Sequence, residues 1–329
     1  MAHQEKRTPR GVSTGEDVQL TELPVGAKVG SGGQGDVFVI NRSLLYKKYH
    51  QPSKVDGGAL SQLVSRYATP RWVLQRRWID RTCAWPKCRV LDRGQVVGYV
   101  MAFAGDRFFW RDGKENQRLL ELQYLVRPAK KMWGQIRQPT APERVALAAA
   151  VADLVRRLHS MNFVIGDVSH ANVLWTLEGG PGVYLLDCDS LQIGDRHRVT
   201  EPASTPDWDD PRQAPRVPPT RDNDNYKLAL AVGRILAQRP DVRPGERLEP
   251  VPGMVQQDTA KAIQRLFDQA AGPSRPSAHE WLSALPMNAI GVSAPQTTSG
   301  RPGGTRPSQY MSAKQHDLYW NTPYSENNK

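Results

Sequence analysis

The chain has 329 residues, enough for one large domain or for two lobes that each bury a core. Hydrophobic residues make up 39%, no apolar run reaches the length of a membrane span or signal peptide, and three cysteines at 83, 88 and 188 form neither a disulfide framework nor a C-x-x-C pair, so a cytoplasmic chain is expected. The net charge of +11 fits a nucleic-acid surface, an anionic membrane surface or an acidic partner without choosing among them.

Residues 1–20 and 288–329 read as tails, the second rich in Pro, Gly, Ser, Thr and Asn and without hydrophobic periodicity. Between them the pattern changes character once. From Leu23 to about Phe103 strands predominate, as at 37–40, 44–49 and 96–101, with one helix predicted over 59–67. From about Glu143 helices take over. Pro142 sits where a first turn tolerates it, and Val151, Leu154, Val155 and Leu158 repeat with helical spacing. Residues 226–236 are apolar nearly all round, which predicts a helix buried on every side. The expectation is an α+β, two-lobed architecture with lobes over 21–104 and 105–287.

Three motifs carry chemistry. In Gly30-Ser31-Gly32-Gly33-Gln34-Gly35-Asp36-Val37 the glycines let backbone N–H groups approach phosphate oxygens, and the β-like run that follows favours a hairpin over a dinucleotide-binding turn. A flexible Gly-rich turn is an equally common reason for such a stretch. In Leu44-Leu45-Tyr46-Lys47-Lys48-Tyr49 a lysine among apolar strand neighbours needs an anion. Lys47 is the preferred candidate and Lys48 the fallback. The third motif sets Asp167, then Asn172, then Asp187 after a buried strand at 183–186. Asp167 can accept or orient a hydroxyl proton, while Asn172 and Asp187 offer oxygen ligands to magnesium. Turn chemistry explains one such residue more easily than three in this spacing.

On these motifs the chain resembles the protein-kinase superfamily over roughly residues 24–285. Gly30, Gly32, Gly35 and Val37 are similar to the kinase glycine-rich loop, within which Gly33 also lies, and Lys47 stands at the place of the phosphate-pairing strand lysine. Asp167 and Asn172 resemble the catalytic-loop pair, and Asp187 the magnesium-binding Asp. The resemblance implies that Met101, Ala102 and Phe103 line the adenine pocket through a hinge. Ser204-Thr205-Pro206-Asp207-Trp208 looks like the end of an activation segment. Asp224 is similar to the Asp that braces the catalytic-loop backbone, and Arg275 to the arginine near the end of the helical lobe. A nearer likeness is to a bacterial branch of kinase-like proteins, some fused to helix-hairpin-helix modules or found beside phosphatases in stress operons. Its marks are Ala84-Trp85-Pro86, Ile165-Gly166-Asp167 and Asp187-Cys188-Asp189-Ser190. ATP, Mg²⁺, a protein substrate and a phosphatase or other operon partner are what the resemblance implies.

Several positions depart from that pattern. Ile165-Gly166 replaces His-Arg, which removes the cation that would order a segment phosphorylated at Thr200, Ser204 or Thr205. Ser169 stands where kinases keep a lysine near the transferring phosphoryl group, with His170 as a candidate replacement. No Glu occurs between Lys47 and Glu115, leaving Gln62 or Asp56 to orient the lysine; Asp210-Pro211-Arg212 stands at the place of the family's A-P-E, leaving Asp209 or Asp210 to pair with Arg275. Asp189 is either a second metal ligand or a structural acceptor. These departures support a rival reading as a nucleotide-binding pseudokinase scaffold, and Gly166-Asp167 with Asn172 also suits a small-molecule phosphotransferase.

Between Arg66 and Arg93 lie eight Arg or Lys with Trp72, Trp78 and Trp85 interleaved, a composition that can serve nucleic acid. A solvated helix face with inward tryptophans is the preferred reading. Tyr310, Tyr319, Trp320 and Tyr324 are aromatics of the polar tail.

Overall fold

Strand-forming runs rich in Val, Tyr and Leu alternate with Gly- and Asn-containing turns through the first hundred residues, and they assemble into one six-stranded sheet. The computed structural model describes residues 15–194, 198–201, 205–214 and 217–285, and the chain divides between Phe103 and Ala104 into two compact units. Its architecture is mixed α and β, with seven α-helices among the described residues.

The first unit contains β1 (Val18–Gln19), β2 (Lys28–Ser31), β3 (Gly35–Val39), β4 (Leu44–Tyr49), α1 (Gly57–Ala68), α2 (Val73–Thr82), β5 (Cys88–Asp92) and β6 (Gln95–Ala102). The sheet order is β1-β5-β6-β4-β3-β2, antiparallel except for β1, which runs parallel to β5. Residues 15–20, expected within a tail, therefore belong to the sheet: Val18 and Gln19 pair with Val90 and Leu91, and Gly15 N donates to the Lys87 carbonyl. Their apolar content is too short to register as a strand without the neighbour that completes it. Tyr46, Cys88, Val90 and Val100 form a buried cluster with Leu23, and Phe38 stacks on Tyr46. Asp56 caps α1 by accepting from Ala59 N, and the helix buries Leu60, Leu63, Val64 and Tyr67, the spacing of one apolar face.

In the tryptophan-interleaved stretch, Trp72 and Trp85 are buried against each other and Trp85 Nε1 donates to the Leu63 carbonyl. Lys87 bonds both Tyr67 and Asp80, while Arg76 reaches the carbonyls closing α1. These cations finish helix ends and neutralise a carboxylate.

The second unit contains β7 (Phe109–Arg111), β8 (Gln117–Leu119), α3 (Gln123–Val126), α4 (Ala141–Ser160), β9 (Phe163–Val164), β10 (Val173–Thr176), β11 (Gly182–Leu185), β12 (Gln192–Ile193), α5 (Arg221–Ala237), α6 (Gln257–Ala270) and α7 (Ala278–Ala284). Its strands pair only in twos, β7 with β8, β10 with β11, and β9 with β12. A capping box of Thr140 and Glu143 starts α4, with Pro142 in the first turn. The expected all-round burial holds for α5, where every residue from Tyr226 to Leu236 is buried. Arg144 of α4 locks three helices together by donating to the carbonyls of Leu125 at 2.6 Å and Ile235 at 3.1 Å. No helix among the described residues is long and apolar enough to cross a membrane. The tail aromatics and Ser204 lie outside the described residues.

Candidate functional site

In the first unit the glycine-rich stretch is the hairpin between β2 and β3. Gly32 N donates to the Gly35 carbonyl at 2.8 Å, closing the turn. Gly35 is held against β4, where any Cβ would press on the Lys48 carbonyl, whereas a Cβ at Gly33 would meet nothing within 4 Å. One glycine is thus required by the sheet and another faces open space. Asp36 ties the hairpin together, accepting from Ser31 at 2.6 Å, Lys28 at 2.9 Å and His50 at 3.1 Å. Burial opposes its ionisation, but those three donors outweigh it and hold the carboxyl well below its usual range.

Lys47 is 3% exposed, while Lys48 on the other face points to solvent. Residues directly opposite in antiparallel register share a face, so Val37, Lys47, Tyr99 and Arg89 form one row across four strands. The Lys47 ammonium lies 5.8 Å from the Tyr99 ring centre, and Arg89 at the end of the row is paired with Asp17 at 2.5 Å. Of the two candidates to orient Lys47, Gln62 sits on the exposed side of α1 and Asp56 is engaged as its cap. Met101 and Ala102 end β6 opposite Leu45 and Leu44. The Phe103 N–H donates to the Ser43 carbonyl at 2.9 Å, so that amide is not an open donor for an adenine ring.

The second unit gathers the remaining candidates. Asp167 is buried between β9 and β10, and Asn172 Nδ2 donates to its Oδ2 at 2.6 Å. A carboxylate only accepts, which turns the Asn172 carbonyl oxygen away from it and leaves an oxygen suited to a hard cation. Thr205 Oγ1 lies 3.2 and 3.1 Å from the two oxygens of Asp167 and 3.1 Å from Ser169 Oγ. Burial is the largest influence on Asp167 and raises its pKa; Lys227 and Thr205 pull the other way, and the nearby charges of Asp187 and Asp209 add to the rise. Asp187 follows β11 with a left-handed backbone, φ 51°, a conformation costly for a non-glycine residue. Asp189 is fully buried.

The loop before Asp167 is gripped from α5. Asp224 accepts from Ile165 N at 2.7 Å, Gly166 N at 2.6 Å and His159 Nε2 at 2.9 Å. Between the two candidates for Arg275, the structure selects Asp210: both of its oxygens bond the guanidinium, at 2.5 and 2.6 Å, with both side chains fully buried. Asn223, the capping partner of Thr220, also donates to Asp210, so one carboxylate joins the start of α5 to the segment before it.

No family model matches the chain, and no curated protein matches it.

Two sequence expectations about cations change. Ile165-Gly166 was expected to leave the loop before Asp167 without a cation, yet Arg198 lies over it and donates to the Ile165 carbonyl at 3.3 Å. Gly166 has φ 79°, a backbone conformation that favours glycine, and a Cβ there would meet the Arg198 guanidinium and Pro219. His170 does not replace the missing lysine as a cation. Burial, with Arg127 and Arg234 nearby, pushes its pKa down to about 4, leaving the ring neutral at pH 7. The cation beside Asp167 is Lys227, which sequence reading passed over. The signal was present: a lysine inside a run expected to be buried on every side needs an anion, the same reasoning that selected Lys47. Among the described residues no three His, Cys, Asp or Glu side chains converge as a metal cage.

Proposed function

We propose that the chain is a two-lobed, ATP- and Mg²⁺-dependent protein kinase that phosphorylates Ser or Thr hydroxyls of a protein. The observation carrying this reading is the Asp167 carboxylate, oriented by Asn172 and already accepting a threonine hydroxyl, that of Thr205. An acceptor hydroxyl in that place would have its proton held by Asp167 and its oxygen lone pairs free to attack the γ-phosphorus of ATP. The oxygen attacks, the bond from the γ-phosphorus to the β–γ bridging oxygen breaks, ADP leaves, and the hydroxyl proton passes to Asp167. Asn172 and Asp187 would hold the magnesium, whose chemistry is to neutralise the phosphate charge. Within the first unit by itself, the open-faced glycine turn and the buried Lys47 are the features that suit phosphate oxygens. The stretch from Thr205 to Asp210, anchored through Asp210 to Arg275, favours a protein substrate over a small alcohol, because such a segment provides a platform for a peptide.

The test is transfer of labelled γ-phosphate from Mg-ATP to a protein acceptor by wild type and Asp167→Asn, with ATP affinity measured by calorimetry. The variant is expected to lose transfer about 10³-fold while its ATP affinity holds. A wild type that binds ATP and transfers nothing supports the scaffold reading favoured by Ser169. Phosphate that appears on small alcohols and never on protein supports the small-molecule phosphotransferase.

A further inference from the structure

We propose that Lys227 is a positioning residue for Asp167, supplying from α5 the positive charge that Ser169 fails to supply from the catalytic loop. The inference rests on the kinase reading above. Lys227 Nζ donates to the Gly166 carbonyl at 2.8 Å and lies 3.6 Å from Asp167 Oδ1, with the side chains 2% and 7% exposed. Asp224 and Lys227 stand three apart on α5 and so share a face. That single turn holds Gly166 at both ends, Asp224 taking its N–H at 2.6 Å and Lys227 its carbonyl. The backbone leading into Asp167 is thereby fixed by two opposite charges. The same ammonium lies against the buried Asp167 carboxylate, so one side chain meets both the backbone that leads into Asp167 and the carboxylate itself.

The neighbouring geometry separates Lys227 from a simple helix–loop strut. Ser169 is fully buried and its hydroxyl is engaged with Thr205, so position 169 offers Asp167 no cation. Arg198 hydrogen-bonds the Ile165 carbonyl at 3.3 Å and feels the Asp167 charge, while Lys227 is the cation 3.6 Å from the carboxylate. Lys227 is the group that meets both the loop backbone and the carboxylate.

The experiment compares kcat, KM for ATP and calorimetric ATP affinity in the full chain for wild type, Lys227→Met, Lys227→Gln and Ser169→Lys/Lys227→Met. Lys227→Met is expected to lower kcat about 100-fold with ATP affinity within about threefold of wild type. Lys227→Gln, which keeps a donor for Gly166 without the charge, is expected to show the same loss and carries the comparison if the Met variant does not fold. Adding Ser169→Lys to Lys227→Met is expected to restore kcat at least about tenfold, which a purely structural lysine would not allow. The inference is overturned if kcat of the variants stays within about threefold of wild type, if Ser169→Lys restores nothing, or if both Lys227 variants unfold. A wild type without transfer activity fails the kinase reading and this inference together. An active wild type with unimpaired Lys227 variants fails this inference alone.

Discussion

The two units hold their functional residues by opposite means. In the first, Lys47 is fixed by where it falls in a hydrogen-bonded ladder, between Val37 and Tyr99, and the apolar cluster lies on the other side of the sheet. In the second, Asp167 sits in a loop whose strands pair only in twos, and its place depends on buried charges reaching in from α5 and on the Asp210–Arg275 pair. A ladder spreads the work over many equivalent bonds, so losing one side chain leaves the backbone in place. A buried ionic network concentrates it, because each removed partner leaves a desolvated charge behind.

That contrast is broken or sharpened most strongly at Arg275. Arg275→Ala leaves Asp210 buried without its bidentate partner and is expected to destabilise the protein by about 3–5 kcal/mol in urea unfolding followed by tryptophan fluorescence. A loss under about 1 kcal/mol would mean that the network relaxes as readily as a surface pair. Next comes Glu121, whose carboxyl burial raises from 4.5 to about 7 against the opposing pull of Gln123 and Arg118. The folded state then binds the proton more tightly than the unfolded state does. Its stabilising contribution is complete below about pH 4.5 and is lost as pH rises through about 7. Glu121→Gln should remove about 3 kcal/mol of that fall, read as a flatter plot of unfolding free energy against pH. The smallest effect belongs to the ladder. Lys47→Met is expected to weaken ATP binding about tenfold with the melting temperature nearly unchanged, and Lys48→Met to leave affinity within about twofold. Unfolding of Lys47→Met would show that the lysine carries the sheet and not the nucleotide.

Legibility in the sequence divides along the same line. The strand over 44–49 was readable because alternation and flanking turns are local properties, and α1 extends the expected 59–67 only by two residues at its start and one at its end. The burial of α5 was readable from its unbroken apolar content. The brace of Asp224 was readable once a motif marked each end, whereas the pairing of Arg275 was narrowed only to Asp209 or Asp210 and needed the structure to choose Asp210. Lys227 and Arg198 had no such guide. Their roles depend on how α5 is rotated about its axis and on how Arg198, 33 positions after Ile165, returns over the loop, and neither is encoded in spacing. Likewise the 15–20 stretch takes its strand character from β5, which lies some seventy residues later in the chain.

That last pairing bears on where the protein can safely be shortened. Asp17, read from sequence alone as part of an N-terminal tail, is the counter-ion of Arg89, and Arg89 ends the row that contains Lys47. A protein trimmed to begin at residue 21 would expose the edge of β5 and leave a guanidinium two strands from Lys47 without its carboxylate. Lost nucleotide affinity in such a fragment would report a missing neighbour at the sheet edge. It would not mean that the binding chemistry itself was absent.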